Sequence, residues 1–342
     1  MSRHRVLRPL ATGLALATVL SVAGCSGAAS TTGHDAVVPA SLSVEGYGVP
    51  GAATLKAMSR DRKALDIVGI SSVNLTTDGA GVAASSQEAL KTAASAKADH
   101  LKSELLVTNI DPSQGAFSDS LASAMLSSAE NRSFVIAGLA GEIEHGGYDG
   151  VQIDFESLSK ADSDDLVTFV SELRSTLPKS ATISMTLPAV AAASDYAGAG
   201  FDLKRLNPLV GRYVLMAYDE HGTGFTAAGP VGGLPWTRQA VSALTSQVSA
   251  NKVDLGVAGY GYTWTSDGRG GVVTAAAARK QAGSKARWVA AQGEWTATLS
   301  NGTVIWWSDG ESLTVRSNLA KSSGLHGVAL WQMSSGDKIT RG

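Results

Sequence analysis

Residues 149–156 read Asp-Gly-Val-Gln-Ile-Asp-Phe-Glu, an apolar run with acids at alternating positions. In a β-strand, side chains at i, i+2 and i+4 share one face. Val151, Ile153 and Phe155 then point one way, and Gln152, Asp154 and Glu156 the other. The Cα atoms of Asp154 and Glu156 would stand roughly 6–7 Å apart. Two carboxyls that close oppose each other's ionisation, so one keeps its proton near neutral pH. A protonated carboxyl is what general-acid chemistry requires, and Glu156, last in the run, is the candidate donor. A row of polar groups facing inward costs free energy unless hydrogen-bonded. The competing reading is a buried structural network built from the same residues.

Something must hold this strand, and the rest of the chain suggests what. Short apolar runs at Ser43–Tyr47, Asp66–Ser71, Glu104–Asn109, Gly150–Phe155, Thr182–Thr186, Tyr213–Tyr218, Val253–Gly259 and Gly327–Gln332 read as strands. Helical patterns separate most of them, which argues for βα units and a parallel sheet. In Ala161–Leu177, Leu166, Phe169, Val170, Leu173 and Leu177 share one helical face, with Asp162, Asp164 and Asp165 at the start and Pro178 just past the end. Asn131–His145 also reads as a helix. Eight strands at this length predict an α/β fold, a (β/α)8 TIM barrel. Residues 262–310, rich in Trp, Thr and Gly, are too many for one helix. They are expected to form a small α+β insertion between strands 7 and 8, walling the cleft. Little chain follows Gln332, so the closing helix is expected to be short or absent. Gln152, Asp154 and Glu156 would face the barrel interior, with Glu156 at the strand end where such folds keep their chemistry.

The run DGVQIDFE resembles the DGxxxDxE signature of glycoside hydrolase family 18, the chitinase-like barrels. Met216-Ala217-Tyr218-Asp219 is similar to the family's MxYD motif, and Gly327–Trp331 to its last strand. Gly229-Pro230-Val231, Leu234-Pro235-Trp236 and Gly259–Trp264 are similar to the YaaH- or SleL-like spore-germination and cortex-lytic branch. The likeness spans most of residues 42–342. It implies substrate-assisted hydrolysis, in which the 2-acetamido oxygen of the sugar is the nucleophile. Glu156 would protonate the glycosidic oxygen, Asp154 would orient the acetamido group, and Tyr218 would hydrogen-bond its carbonyl. Asp219, Met216, Trp331, Gln152 and Tyr47 carry over as substrate-binding candidates, with Trp331 flooring the sugar. Asp149 is expected to support the strand and its turn. The resemblance implies no cofactor. Many chitinases have Asp where Gln152 stands and a Tyr-Pro step where Ser157-Leu158 follows. The first departure takes one possible proton partner from Asp154, and the second favours a wall glycan over chitin.

The N-terminus carries a separate signal. Arg3, Arg5 and Arg8 precede an apolar stretch from Leu10 to Val22, too short for an ordinary membrane span. It ends in Val22-Ala23-Gly24-Cys25, similar to a lipobox, and Cys25 is the chain's one cysteine. Residues 1–25 are expected to be a lipoprotein signal peptide, with Cys25 lipidated and the protein anchored to the outer side of the cell membrane. Residues 26–41, rich in Ser, Thr, Gly and Ala, read as a flexible tether, and 42–342 as the barrel. A net charge of −2 with no long basic run argues against nucleic-acid partners. No His/Cys cluster has metal-ligand spacing. The expected partner is a GlcNAc-containing polysaccharide such as peptidoglycan, and the expected unit a monomer. Two other classes remain open: a barrel that binds such glycans without cutting them, and a solute-binding lipoprotein, which would need two hinged lobes instead of eight ordered strands.

Overall fold

The computed structural model describes residues 34–267 and 269–342. The signal segment, Cys25 and the first part of the tether lie outside the described residues. The eight barrel strands are β1 (Ser43–Gly48), β2 (Ile67–Asn74), β3 (Lys102–Thr108), β4 (Gly150–Asp154), β5 (Thr182–Pro188), β6 (Arg212–Met216), β7 (Val253–Ala258) and β8 (Gly327–Trp331). They form a closed barrel in chain order, with β8 pairing β1, and every pairing is parallel. Parallel neighbours need crossovers, and helices supply most of them.

Local sequence explains why the elements form. Helix Ser163–Thr176 buries Leu166, Phe169, Val170 and Leu173 on one face, has Asp164 and Asp165 in its first turn and ends before Pro178. Each such apolar side chain contributes about 1.5–3 kcal/mol by leaving water. Helix Ala129–Gly146 stops at Gly147, whose φ of 66° is left-handed and open to glycine without strain. Gly150 opens β4 because β5 approaches it closely. A Cβ there would lie 2.5 Å from the carbonyl oxygen of Thr182. Asp149 supports this turn, its carboxylate accepting from the Ser103 amide at 2.8 Å.

Between β7 and β8 lies a five-stranded antiparallel sheet, ordered Gly270–Thr274, Tyr260–Trp264, Val304–Trp307, Glu294–Thr298, Arg287–Val289. Helix Ala275–Ala282 packs Ala275, Ala278 and Ala282 against Ile305 and the fully buried Trp307. The buried Glu294 fastens this insertion to its surroundings. It pairs with Arg316 at 3.0 Å on helix Gly310–Ser322 and accepts from the Val231 and Gly232 amides at 2.7 and 3.0 Å.

One boundary differs from the sequence expectation. The tether reading extended to residue 41, yet Ala36–Val38 is a strand, parallel to Ile339–Arg341. Ala36 and Val38 are buried and Val37 is exposed, an alternation too brief for composition to reveal. No helix follows β8. The two-stranded ribbon takes that place, the Val37 amide donating to Thr314 on helix Gly310–Ser322 and the Ile339 amide to Asp61 on helix Ala52–Asp61.

Candidate active site

Gln152 and Asp154 face the barrel interior and are buried, while Val151, Ile153 and Phe155 join the outer core. β4 ends at Asp154, so Glu156 stands two residues beyond the ladder and not on it. Asn109, next after β3, holds it there. The Glu156 amide donates to Asn109 Oδ1 and Asn109 Nδ2 donates to the Glu156 carbonyl, both at 2.9 Å. The chain then turns at Ser157, with φ 61°.

Asp154 Oδ1 accepts from Thr186 Oγ1 at 2.6 Å. Burial pushes the Asp154 carboxyl up to about 6 against the opposing effect of that bond. Glu156 lies well above the usual carboxylate range, through burial first and then through the charges of Asp154 and Asp219. Among the described residues no Lys or Arg pairs with Asp154, Glu156 or Asp219. With no such cation to hold it ionised, Glu156 is the one of the three that its neighbours' charges favour in the protonated form, the form that general-acid chemistry requires.

Tyr218 and Asp219 were expected at the end of strand six, but β6 stops at Met216 and both lie in the loop beyond it. Within that loop Asp219 takes a left-handed φ of 61°. Its carboxylate accepts from the hydroxyls of Tyr260 and Tyr262 at 2.5 and 2.9 Å. Burial raises Asp219, and these two bonds oppose the rise. Tyr218 is half-buried, and its hydroxyl is pushed well above the ordinary tyrosine value by burial, then by Asp154 and Asp219. Met216, the last residue of β6, is half-buried beside Pro188. Trp331 closes β8 with part of its ring exposed, 5.5 Å from the ring of Tyr47.

Tyr47 and Gln152 lie deeper. Tyr47 Oη donates to Gln152 Oε1 at 2.5 Å, and Gln152 Nε2 donates to Ser184 at 3.0 Å and more weakly to Glu45 and Glu104 at 3.3 Å. Below them Arg212 pairs with Glu45, Glu104 and Asp254 at 2.5, 2.6 and 2.7 Å. Gln152 thus faces the floor of the barrel, and Asp154 takes Thr186 as its partner instead. A shallow cavity of about 410 Å³ opens beneath this floor, but Arg174 and Lys252 at its edge already bind main-chain carbonyls.

Residues 53–336 match Glycosyl hydrolases family 18. The chain belongs to that family. A cortical fragment-lytic enzyme of Bacillus anthracis is 26% identical over 246 residues, 67% of this chain and 56% of that protein. The chain spans a little over half the length of the first curated relatives it matches. In fold it is similar to the Bacillus cereus spore cortex-lytic enzyme SleL, with TM-score 0.76 and 22% identity over 88% of this chain and 72% of that one. It is equally similar to a chitinase from Chromobacterium violaceum, with TM-score 0.77 and 23% identity over 86% and 95%. For a family 18 chain, the acid run, the Tyr218-Asp219 pair and Trp331 converge on one end of the barrel. Sequence reasoning missed Asn109, Thr186, Arg212 and the roles of Tyr260 and Tyr262. Only the tyrosines left a signal: at i and i+2 on one strand they share a face.

Proposed function

We propose that this protein is a retaining glycoside hydrolase that cleaves β-1,4 bonds in N-acetylglucosamine-containing wall glycan, with Glu156 as acid and then base. The observation that carries the reading is Glu156 beside Asp154 at the C-terminal end of the barrel, its carboxyl raised by burial and by the charge of Asp154, with no Lys or Arg paired to either among the described residues. In the first step Glu156 gives its proton to the glycosidic oxygen as the bond to C1 breaks. The acetamido oxygen of the same sugar closes on C1 to form an oxazolinium ion. Asp154 orients the acetamido N–H and balances the positive charge. Tyr218 donates a hydrogen bond to the acetamido oxygen and so aims it. In the second step Glu156, now a carboxylate, takes a proton from water. The water oxygen bonds C1, the oxazolinium ring opens, and configuration is retained.

Asp219, held by Tyr260 and Tyr262, supports the sugar and keeps Glu156 protonated through its charge. Trp331 offers its apolar face to the sugar ring, and Met216 lines the wall beside it. Tyr47 and Gln152 act from beneath by fixing the floor on which Asp154 and Trp331 rest. Wall glycan is preferred over chitin because of Ser157-Leu158 after the acid and because of the likeness to the cortical fragment-lytic enzyme.

The test uses a domain beginning at residue 34, so that the strand Ala36–Val38 is kept. Peptidoglycan and chitin oligosaccharides are incubated with it, and new reducing ends are identified by mass spectrometry. Glu156→Gln is expected to lower turnover by roughly 10²–10⁴-fold while glycan binding persists. Undiminished turnover in that variant sinks the assignment. Binding without cleavage by the unaltered domain turns the reading to a glycan-binding barrel. We further propose that Cys25 carries a lipid that anchors the protein outside the cell, on the strength of the lipobox-like run ending at it. Labelling with radioactive palmitate should vanish in Cys25→Ser, and persistent labelling contradicts the anchor.

A further inference from the structure

We propose that Asn109 is the positioning residue for Glu156, standing in for a main-chain neighbour at the point where the sheet gives out. The inference rests on the reading of Glu156 as the acid. Strand β4 ends at Asp154, so the ladder no longer fixes the backbone at 155 and 156. The adjacent strand β3 cannot supply main-chain partners either. It ends at Thr108 and veers into a hairpin, Ile110–Asp111 paired with Ala116–Phe117. The fully buried side chain of Asn109 fills the gap. Its Oδ1 accepts from the Glu156 amide and its Nδ2 donates to the Glu156 carbonyl, both at 2.9 Å. The pair satisfies both the N–H and the C=O that a neighbouring strand would otherwise engage.

The other connections of Asn109 show that it is itself fixed. Nδ2 also donates to the Ser118 carbonyl at 2.8 Å, and the Asn109 carbonyl accepts from the Ser118 amide at 3.0 Å. Ser118 caps helix Asp119–Ser127, its hydroxyl accepting from the Leu121 amide. The acid is therefore tied through one amide to the start of a helix. Both amide hydrogens of Asn109 are used, and among the described residues no other side chain hydrogen-bonds the Glu156 main chain. One residue on, the left-handed turn at Ser157 would let the segment swing if this clamp were absent. A swing of about 1 Å at the carboxyl is enough to cost on the order of 100-fold in rate.

The test compares Asn109→Ala and Asn109→Ser with the unaltered protein, after thermal unfolding has established that each variant folds. Substrate KM should stay within about twofold while kcat falls roughly 100-fold, the pattern of a group that acts only in the transition state. The alkaline limb of the kcat/KM profile should move to lower pH, because a carboxyl drifting toward water loses the burial that raises it. A purely structural role would lower the melting temperature and leave both kcat and the limb in place, and that outcome overturns the proposal. The unaltered protein gives a check that needs no variant. The Asn109 side-chain amide hydrogens should exchange with deuterium slowly by NMR, and fast exchange overturns the clamp. Glu156→Gln run in parallel separates the two failures. An inactive Glu156→Gln beside fully active Asn109 variants rejects only the clamp, whereas an active Glu156→Gln rejects the acid and the clamp with it.

Discussion

Two clusters of acids share the interior of one barrel, and they are neutralised in different ways. The lower cluster sets Glu45, Glu104 and Asp254 around Arg212, with His326 on Asp254 at 2.7 Å. The upper one sets Asp154, Glu156 and Asp219 together without a cation, held by Thr186, Tyr260 and Tyr262. Gln152 separates them as an uncharged amide whose hydrogen bonds to protein reach Tyr47 and the lower acids. The lower acids are tied up in ion pairs and serve the barrel. The upper acids have no Lys or Arg partner among the described residues, and on the proposed reading they serve chemistry. On that reading the same residue type is structural or reactive according to whether a guanidinium is in reach.

The sharpest way to break this contrast is to remove the guanidinium. Arg212→Met takes the guanidinium away from three buried carboxyls, leaving Glu45 and Glu104 without a cation, and is expected to cost about 3–5 kcal/mol of stability in urea unfolding at pH 7.5. A loss below roughly 1 kcal/mol would mean that the floor does not depend on Arg212. The upper cluster should respond in the opposite sense. The folded pKa of Asp154, about 6, lies above its unfolded value of 3.8. Its contribution to stability is therefore complete below about 3.8 and is lost as pH rises through 6. Asp154→Asn removes that loss and leaves an oxygen to accept from Thr186. The variant should be more stable than the parent at pH 7.5, by on the order of 1–3 kcal/mol, and no more stable at pH 3.5. Equal melting curves at both pH values would contradict it.

The smallest effect belongs to His326. Its raised pKa comes first from the hydrogen bond to Asp254, so its contribution is present below the unfolded value and lost as pH rises through the folded one. Its side chain is 38% exposed, and solvent screens the pair. His326→Ala should cost at most roughly 1 kcal/mol at pH 5.5 and nothing at pH 9. A larger loss at pH 9 would show packing rather than charge.

The frame of the barrel was legible because each strand is a short apolar run set off by helical spacing, and Glu156 was legible because alternation brings it to the face of Asp154. What could not be read has a common cause. Arg212 meets Glu45 across 167 residues and Glu104 across 108, and no local pattern reports such a meeting. Asn109 does the work of a backbone, and nothing in its type or spacing announces that. Tyr260 and Tyr262 stand in plain alternation, but the carboxylate they meet sits on another loop, turned by the backbone at Asp219. Gln152 was assigned to the sugar, and its partners place it with the floor.

The ribbon of Ala36–Val38 and Ile339–Arg341 joins positions 304 residues apart. During synthesis at about 5–20 residues per second, the first strand waits roughly 15–60 s for its partner to be made. Throughout that interval the edge of the first strand lacks its cover and is open to stray pairing. The domain is sealed only once Ile339–Arg341 has been made, so a nascent chain cannot complete this fold before that point.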